Sequence, residues 1–189
     1  MREEDRSSAS RISAEGRRAT LLGIASLHRV GRWRFPVYEL VVDGVVLARL
    51  GRPGPWRIFF GRGQAIELAD GSKWRLRSLG MAGAICPVIV DSDIRKVALA
   101  APHHGGYGLN GADWAYVLYP SERHRFVRSN HWILREYEEN VGVVTRTPWQ
   151  IETTAPVPLG AAILALSLAV YAIPGESKLG VPRIRWGTF

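Results

Sequence analysis

Residues 158–174 read PLGAAILALSLAVYAIP, the most apolar stretch of the chain, and they carry no charge. Two readings compete: a membrane span, or a helix that a folded domain hides inside itself. Fifteen residues lie between Pro158 and Pro174, about 22 Å of helix at 1.5 Å per residue. A hydrocarbon core of about 30 Å asks for nearer 20 residues. The flanks also lack what a span needs, since residues 152–158 contain no Lys or Arg and Tyr171 is the one interfacial aromatic in the stretch. Pro158 can open a helix and Pro174-Gly175 can end it. A helix apolar on every side is buried in something.

Working outward, the preceding sequence supplies that something. From Thr20 to Ile151 short alternating or apolar runs are separated by turn residues. Asp43-Gly44 sits between YELVV and VVLARL, and Asp70-Gly71 between QAIELA and KWRLR. The same grammar returns around residues 91–93, 110–111 and 139–140. An Asp-Gly pair between alternating runs is a hairpin signal, because the turn requires φ > 0. The spacing predicts ten to twelve strands in a meander that closes on itself. About eight strands are filled by their own side chains, whereas about twelve leave a lumen. A helix about 10–12 Å across can fill it. Ala161, Ala165, Ala169 and Ala172 fall on one face of that helix and Leu164, Leu168 and Tyr171 on another, so small residues ease the fit. The alternative use of such a small-residue face is packing against a second membrane helix.

The expected fold is therefore mainly β: a closed antiparallel β-barrel of about twelve strands enclosing a hydrophobic C-terminal α-helix. It spans residues 19–175, with the central helix at about 158–174. A tail at 1–18, polar and of mixed charge, precedes it, and a basic tail at 176–189 follows.

Composition narrows the function classes. The 189 residues are 47% hydrophobic and 22% charged, as in a globular domain. A single cysteine, Cys86, excludes an internal disulfide framework and a cysteine-rich zinc site. No apolar run opens the chain, so a cytoplasmic protein, peripheral on the inner membrane surface, is expected. The net charge of +8 favours phosphate-rich partners, and it lies outside the first 18 residues, where five Arg face four acids. Solubility alone is the bland explanation of that charge.

The order of these elements resembles the tubby C-terminal-like superfamily, which includes tubby domains, phospholipid scramblases and LURP-one-related proteins. The resemblance rests on the hairpins of residues 20–147, the glycine-rich GGYGLNG at 105–111 leading into Trp114, and the apolar segment near the C-terminus. It implies a twelve-stranded barrel around a hydrophobic helix. It also implies phosphoinositide binding through a lysine and an arginine two apart on a strand, a spacing matched by Lys73 and Arg75 and prolonged by Arg77. The tail from Glu176 to Phe189 lies outside the family pattern.

Strand alternation independently puts Lys73, Arg75 and Arg77 on one face, with Trp74 and Leu76 on the other. A solvated strand face is the ordinary use of such a pattern; presenting charge to phosphates is the functional one. Arg57 and Arg62, with Arg49 and Arg52, form a second basic group, and residues 123–128 a third. Trp33 and Trp56 stand beside arginines, which suits an interfacial surface or, equally, wall packing. His103-His104 lacks a third ligand, so no metal is expected, and no cofactor is expected either. Cys86 before Pro87 reads as a small buried hydrophobe. The nucleophile elbow, Walker loop and zinc-protease motif are all missing, so a non-enzymatic protein is expected. Its expected partner is an anionic membrane surface or a phosphorylated lipid head group. A protein-interaction scaffold is the alternative, with scramblase-like membrane anchoring and nucleic-acid binding behind it.

Overall fold

Each tight turn reverses the chain between two alternating runs, and twelve such runs make one sheet. The computed structural model describes residues 19–31, 37–51, 63–81, 84–121 and 129–171. Both tails, residues 1–18 and 172–189, lie outside them. The first strands are β1 (Thr20–Val30), β2 (Val37–Val42), β3 (Val45–Leu50) and β4 (Gln64–Leu68). Next come β5 (Lys73–Met81), β6 (Ala84–Val90), β7 (Lys96–His103) and β8 (Gly106–Asn110). The last are β9 (Ala115–Pro120), β10 (His131–Glu136), β11 (Glu139–Arg146) and β12 (Trp149–Pro158), and the one helix among the described residues, α1 (Leu159–Tyr171), follows. Every strand pairs with its sequence neighbours, and β12 pairs with β1 to close the barrel. At the seam Ala25 faces Ile151 on β12 and Val42 on β2, all three buried.

Strand β12 runs seven residues past Ile151, where the alternating sequence signal stops. It carries Pro156, which cannot donate to a ladder. The sheet accommodates this with a bulge: Leu21 pairs with Val157 and Gly23 with Thr153, so residues 154–156 stand opposite Leu22 alone. Gly23 has φ +96 there, a conformation that side chains rarely adopt. Two further bulges turn consecutive residues inward, Leu47-Ala48 in β3 and Val141-Gly142 in β11.

Inward positions form one core, with Leu40, Leu76, Ile89, Leu109, Leu118, Trp132 and Leu134 fully buried. Helix α1 fills the lumen. It packs against β12, β11 and β1 on one side and against β6, β7 and β8 on the other. Every residue from Leu159 to Ala169 is buried, which accounts for a stretch with no polar face. Its alanines and the inward alanines of the wall, among them Ala98 and Ala100, belong to the same buried core. At Gly160 an added Cβ would lie 3.3 Å from both Ala98 Cβ and Val97 Cγ1. The first helical N–H, of Leu159, is satisfied by donating to the Ala19 carbonyl at 2.8 Å. Among the described residues no helix is long and apolar enough to cross a membrane.

Candidate anion-binding face

Alternation in β5 leaves Lys73 and Arg75 exposed and Arg77 half-buried on the outer wall, while Trp74 and Leu76 are in the core. The three cations share a face, but their neighbours differ. Glu67 on β4 stands opposite Lys73, and Arg49 on β3 stands opposite Glu67. Arg49 Nε donates to Glu39 Oε1 of β2 at 3.0 Å. The outer wall thus carries an alternating row, Glu39, Arg49, Glu67, Lys73, whose charges cancel in pairs. Lys73 belongs to that row.

Arg75 and Arg77 do not. Arg75 faces Ala65 on one side and Val90 on the other, and Arg77 faces Val88. Successive outward positions on a strand are about 7 Å apart, so one phosphate-sized anion can reach both guanidinium groups. The Arg77 Nε is buried with no hydrogen-bond partner. Gly63, at φ +60, makes room for this side chain, since a Cβ there would meet Arg77 Cγ at 3.1 Å and the Leu76 carbonyl oxygen at 2.8 Å. Gln64 holds the same edge by donating from Nε2 to the Gly51 carbonyl at 2.6 Å.

Beside the arginines, the wall is apolar. Val88 pairs with outward Arg77 and Val90 with outward Arg75, and Cys86 shares their side of β6. All three are buried, yet none belongs to the core cluster inside the barrel. A guanidinium over such a strip loses hydration, which strengthens its hold on an anion relative to open solvent. Burial pushes the Cys86 thiol pKa up, so it stays protonated near neutrality and is a poor nucleophile.

Arg57 and Arg62 lie outside the described residues, as do Arg52, Trp33, Trp56 and residues 123–128. His103 and His104 flank the turn between β7 and β8 with rings 4.8 Å apart edge to face. No group of three His, Cys, Asp or Glu among the described residues could hold a metal ion. The charge-cancelling row was missed in the sequence, although the Asp70-Gly71 turn already sets Glu67 against Lys73 by hairpin counting.

Fold and face together define a closed twelve-stranded meander barrel, wrapped on a buried helix and carrying two arginines on its wall that face no acid across their strand pairs. In comparison with known proteins, no family model matches the chain, and no curated protein or solved structure matches it either.

Proposed function

We propose that this chain is a tubby-like, non-enzymatic barrel that binds anionic phospholipid or phosphoinositide head groups at a membrane surface. Arg75 and Arg77 hold the phosphate, and Lys73 contributes from the edge of the site. The observation that carries this reading is the buried Arg77 Nε without a partner, because a buried donor left unmade costs about 1–3 kcal/mol. A phosphate oxygen is an acceptor of the right charge for it, and the planar fork suits bidentate contact. A net charge of +8 draws the protein to an anionic surface, where each cation contributes about 1 kcal/mol. The buried helix leaves the wall, and not the lumen, for ligands.

Vesicle co-sedimentation tests the reading. The full-length chain pellets with phosphatidylserine or phosphoinositide vesicles at low salt, stays in solution with phosphatidylcholine alone, and is released by high salt. Failure to pellet with any anionic vesicle at low salt overturns it. Pelleting with neutral vesicles in high salt would instead mean that α1 leaves the barrel and inserts.

A further inference from the structure

Five consecutive strands, β5 to β9, contain no acidic residue, in a chain that has 17 acids. The next strand, β10, has only Glu136, its last residue, at the turn. The wall across the barrel differs. There Glu39 on β2, Glu67 on β4 and Glu152 on β12 stand at outward positions.

The centre of the acid-free stretch is apolar on its outer side. Its outward residues are Leu99 and Ala101 on β7, Val117 and Tyr119 on β9, and Ile133 on β10. Cross-strand pairing makes them one surface. Ala101 faces Gly108 on β8, and Gly108 faces Val117. Tyr119 faces Ile133, which in turn faces exposed Val143 on β11. None of these side chains is in the core cluster, whereas their inward neighbours Ala100, Leu118 and Leu134 are. Single apolar residues on a surface are ordinary, but a contiguous patch marks an interaction site.

Cations stand at both edges of the patch. Leu99 pairs with Val88 and Val88 with Arg77, so the patch runs on to the arginines of β5. At the far edge Arg135 faces Val117, and its guanidinium lies 6.0 Å from the centroid of the Tyr119 ring. Its Nε donates to Asn140 Oδ1 at 2.8 Å. Strands about 4.8 Å apart put β5 and β10 about 24 Å from one another along the wall. That wall curves. Against a flat surface β7 to β9 therefore lie deepest, and the arginines at the edges stand at a shallower level. Apolar side chains at depth and cations above them match the acyl boundary and the phosphates of a bilayer. An acid in the same contact would face those phosphates, which gives a reason for the run without one.

We infer that the barrel lies side-on against an anionic bilayer, with the outward face of β7 to β9 in the interface and Arg75, Arg77 and Arg135 at the level of the phosphates; this rests on the lipid reading above. The same site thereby takes the lipid's glycerol and upper acyl region beside its head group.

Two substitutions of equal charge test the orientation. Val117→Asp puts an acid into the acid-free wall, and Ser26→Asp puts one on β1, across the barrel. Neither side chain is in the core cluster, so both variants should melt near the wild type. Binding to phosphatidylcholine–phosphatidylserine vesicles at low salt is expected to fall about fivefold or more for Val117→Asp and about twofold or less for Ser26→Asp. In full-length C86A protein, an environment-sensitive fluorophore at Ala101→Cys should brighten and shift to the blue with these vesicles, and one at Val41→Cys should not. Equal losses in the two Asp variants overturn the orientation and leave the lipid reading standing. So does protein that pellets while the label responds at 41 or at neither position. Protein that pellets with no anionic vesicle overturns both. A label at 101 that responds to protein concentration without vesicles overturns the inference and assigns the patch to contact between copies of the chain.

Discussion

The lumen and the outer wall at β5 use opposite means of holding a place in the fold. In the lumen, α1 is apolar all round and every residue from Leu159 to Ala169 is buried, so packing alone fixes it. On the wall, Lys73 and Arg77 occupy equivalent outward positions two pleats apart, yet one is matched to Glu67 and the other has a buried nitrogen without a partner. The difference teaches that an interior tolerates almost no change, whereas a wall tolerates most changes and reserves its sensitivity for one or two positions.

The largest expected effect breaks the lumen. Replacing Leu164, fully buried against the wall, by Asp places an unpaired charge in a dry core. The variant is expected to lose the cooperative unfolding transition, whereas Leu164→Ala costs about 2–5 kcal/mol in a denaturant melt. Leu164→Asp that melts like the wild type would show that the helix is not enclosed.

Alkaline pH probes the same interior. Burial raises the Tyr107 and Tyr116 phenols to about 12, with the Cys86 thiolate adding to the first and Glu136 and Asp113 to the second. An unfolded phenol titrates near about 10. Raised folded values mean that these rings stabilise the neutral fold fully below about pH 10 and progressively less from about 10 to 12. Ultraviolet titration should show two tyrosines ionising about two units late, and Tyr107→Phe with Tyr116→Phe should flatten the alkaline loss of stability.

On the wall, Arg75→Gln with Arg77→Gln is expected to weaken binding to anionic vesicles by about tenfold or more at low salt. The melting transition should change little, since neither side chain is in the core cluster. Arg75→Gln alone guards against a folding defect at the half-buried position and should show part of the loss. The smallest effect belongs to Lys73→Gln, about twofold or less, because Glu67 already offsets that charge. Equal losses at Lys73 and Arg77 would erase the distinction between them.

Much of this was legible in the residues. Asp43-Gly44 and Asp70-Gly71 announced hairpins because few other pairs accept their backbone angles, and period-two alternation in residues 73–77 named the wet and dry faces. The apolar run of β6, ICPVIV, hides its outward Cys86, Val88 and Val90 because a strand buried on both sides has no alternation to read. The join of β5 to β6 through Ala82-Gly83 lacks a strong turn pair, so the apolar setting of Arg77 could not be counted off from it. The end of β12 escaped because Pro156 argues against a strand unless a bulge excuses it.

The sequence by itself determined that the chain is β-rich, that a single apolar helix follows, and that this helix is too short and wrongly flanked to span a bilayer; these are local properties of period, length and turn chemistry. Only the tertiary structure decided that β1 closes on β12, which lie about 130 residues apart in the chain, that four bulges bend the wall, and which outward cation is left without an acid opposite. Closure and pairing are long-range events. They are chosen by the burial of the whole helix at once, and no window of neighbouring residues contains that information.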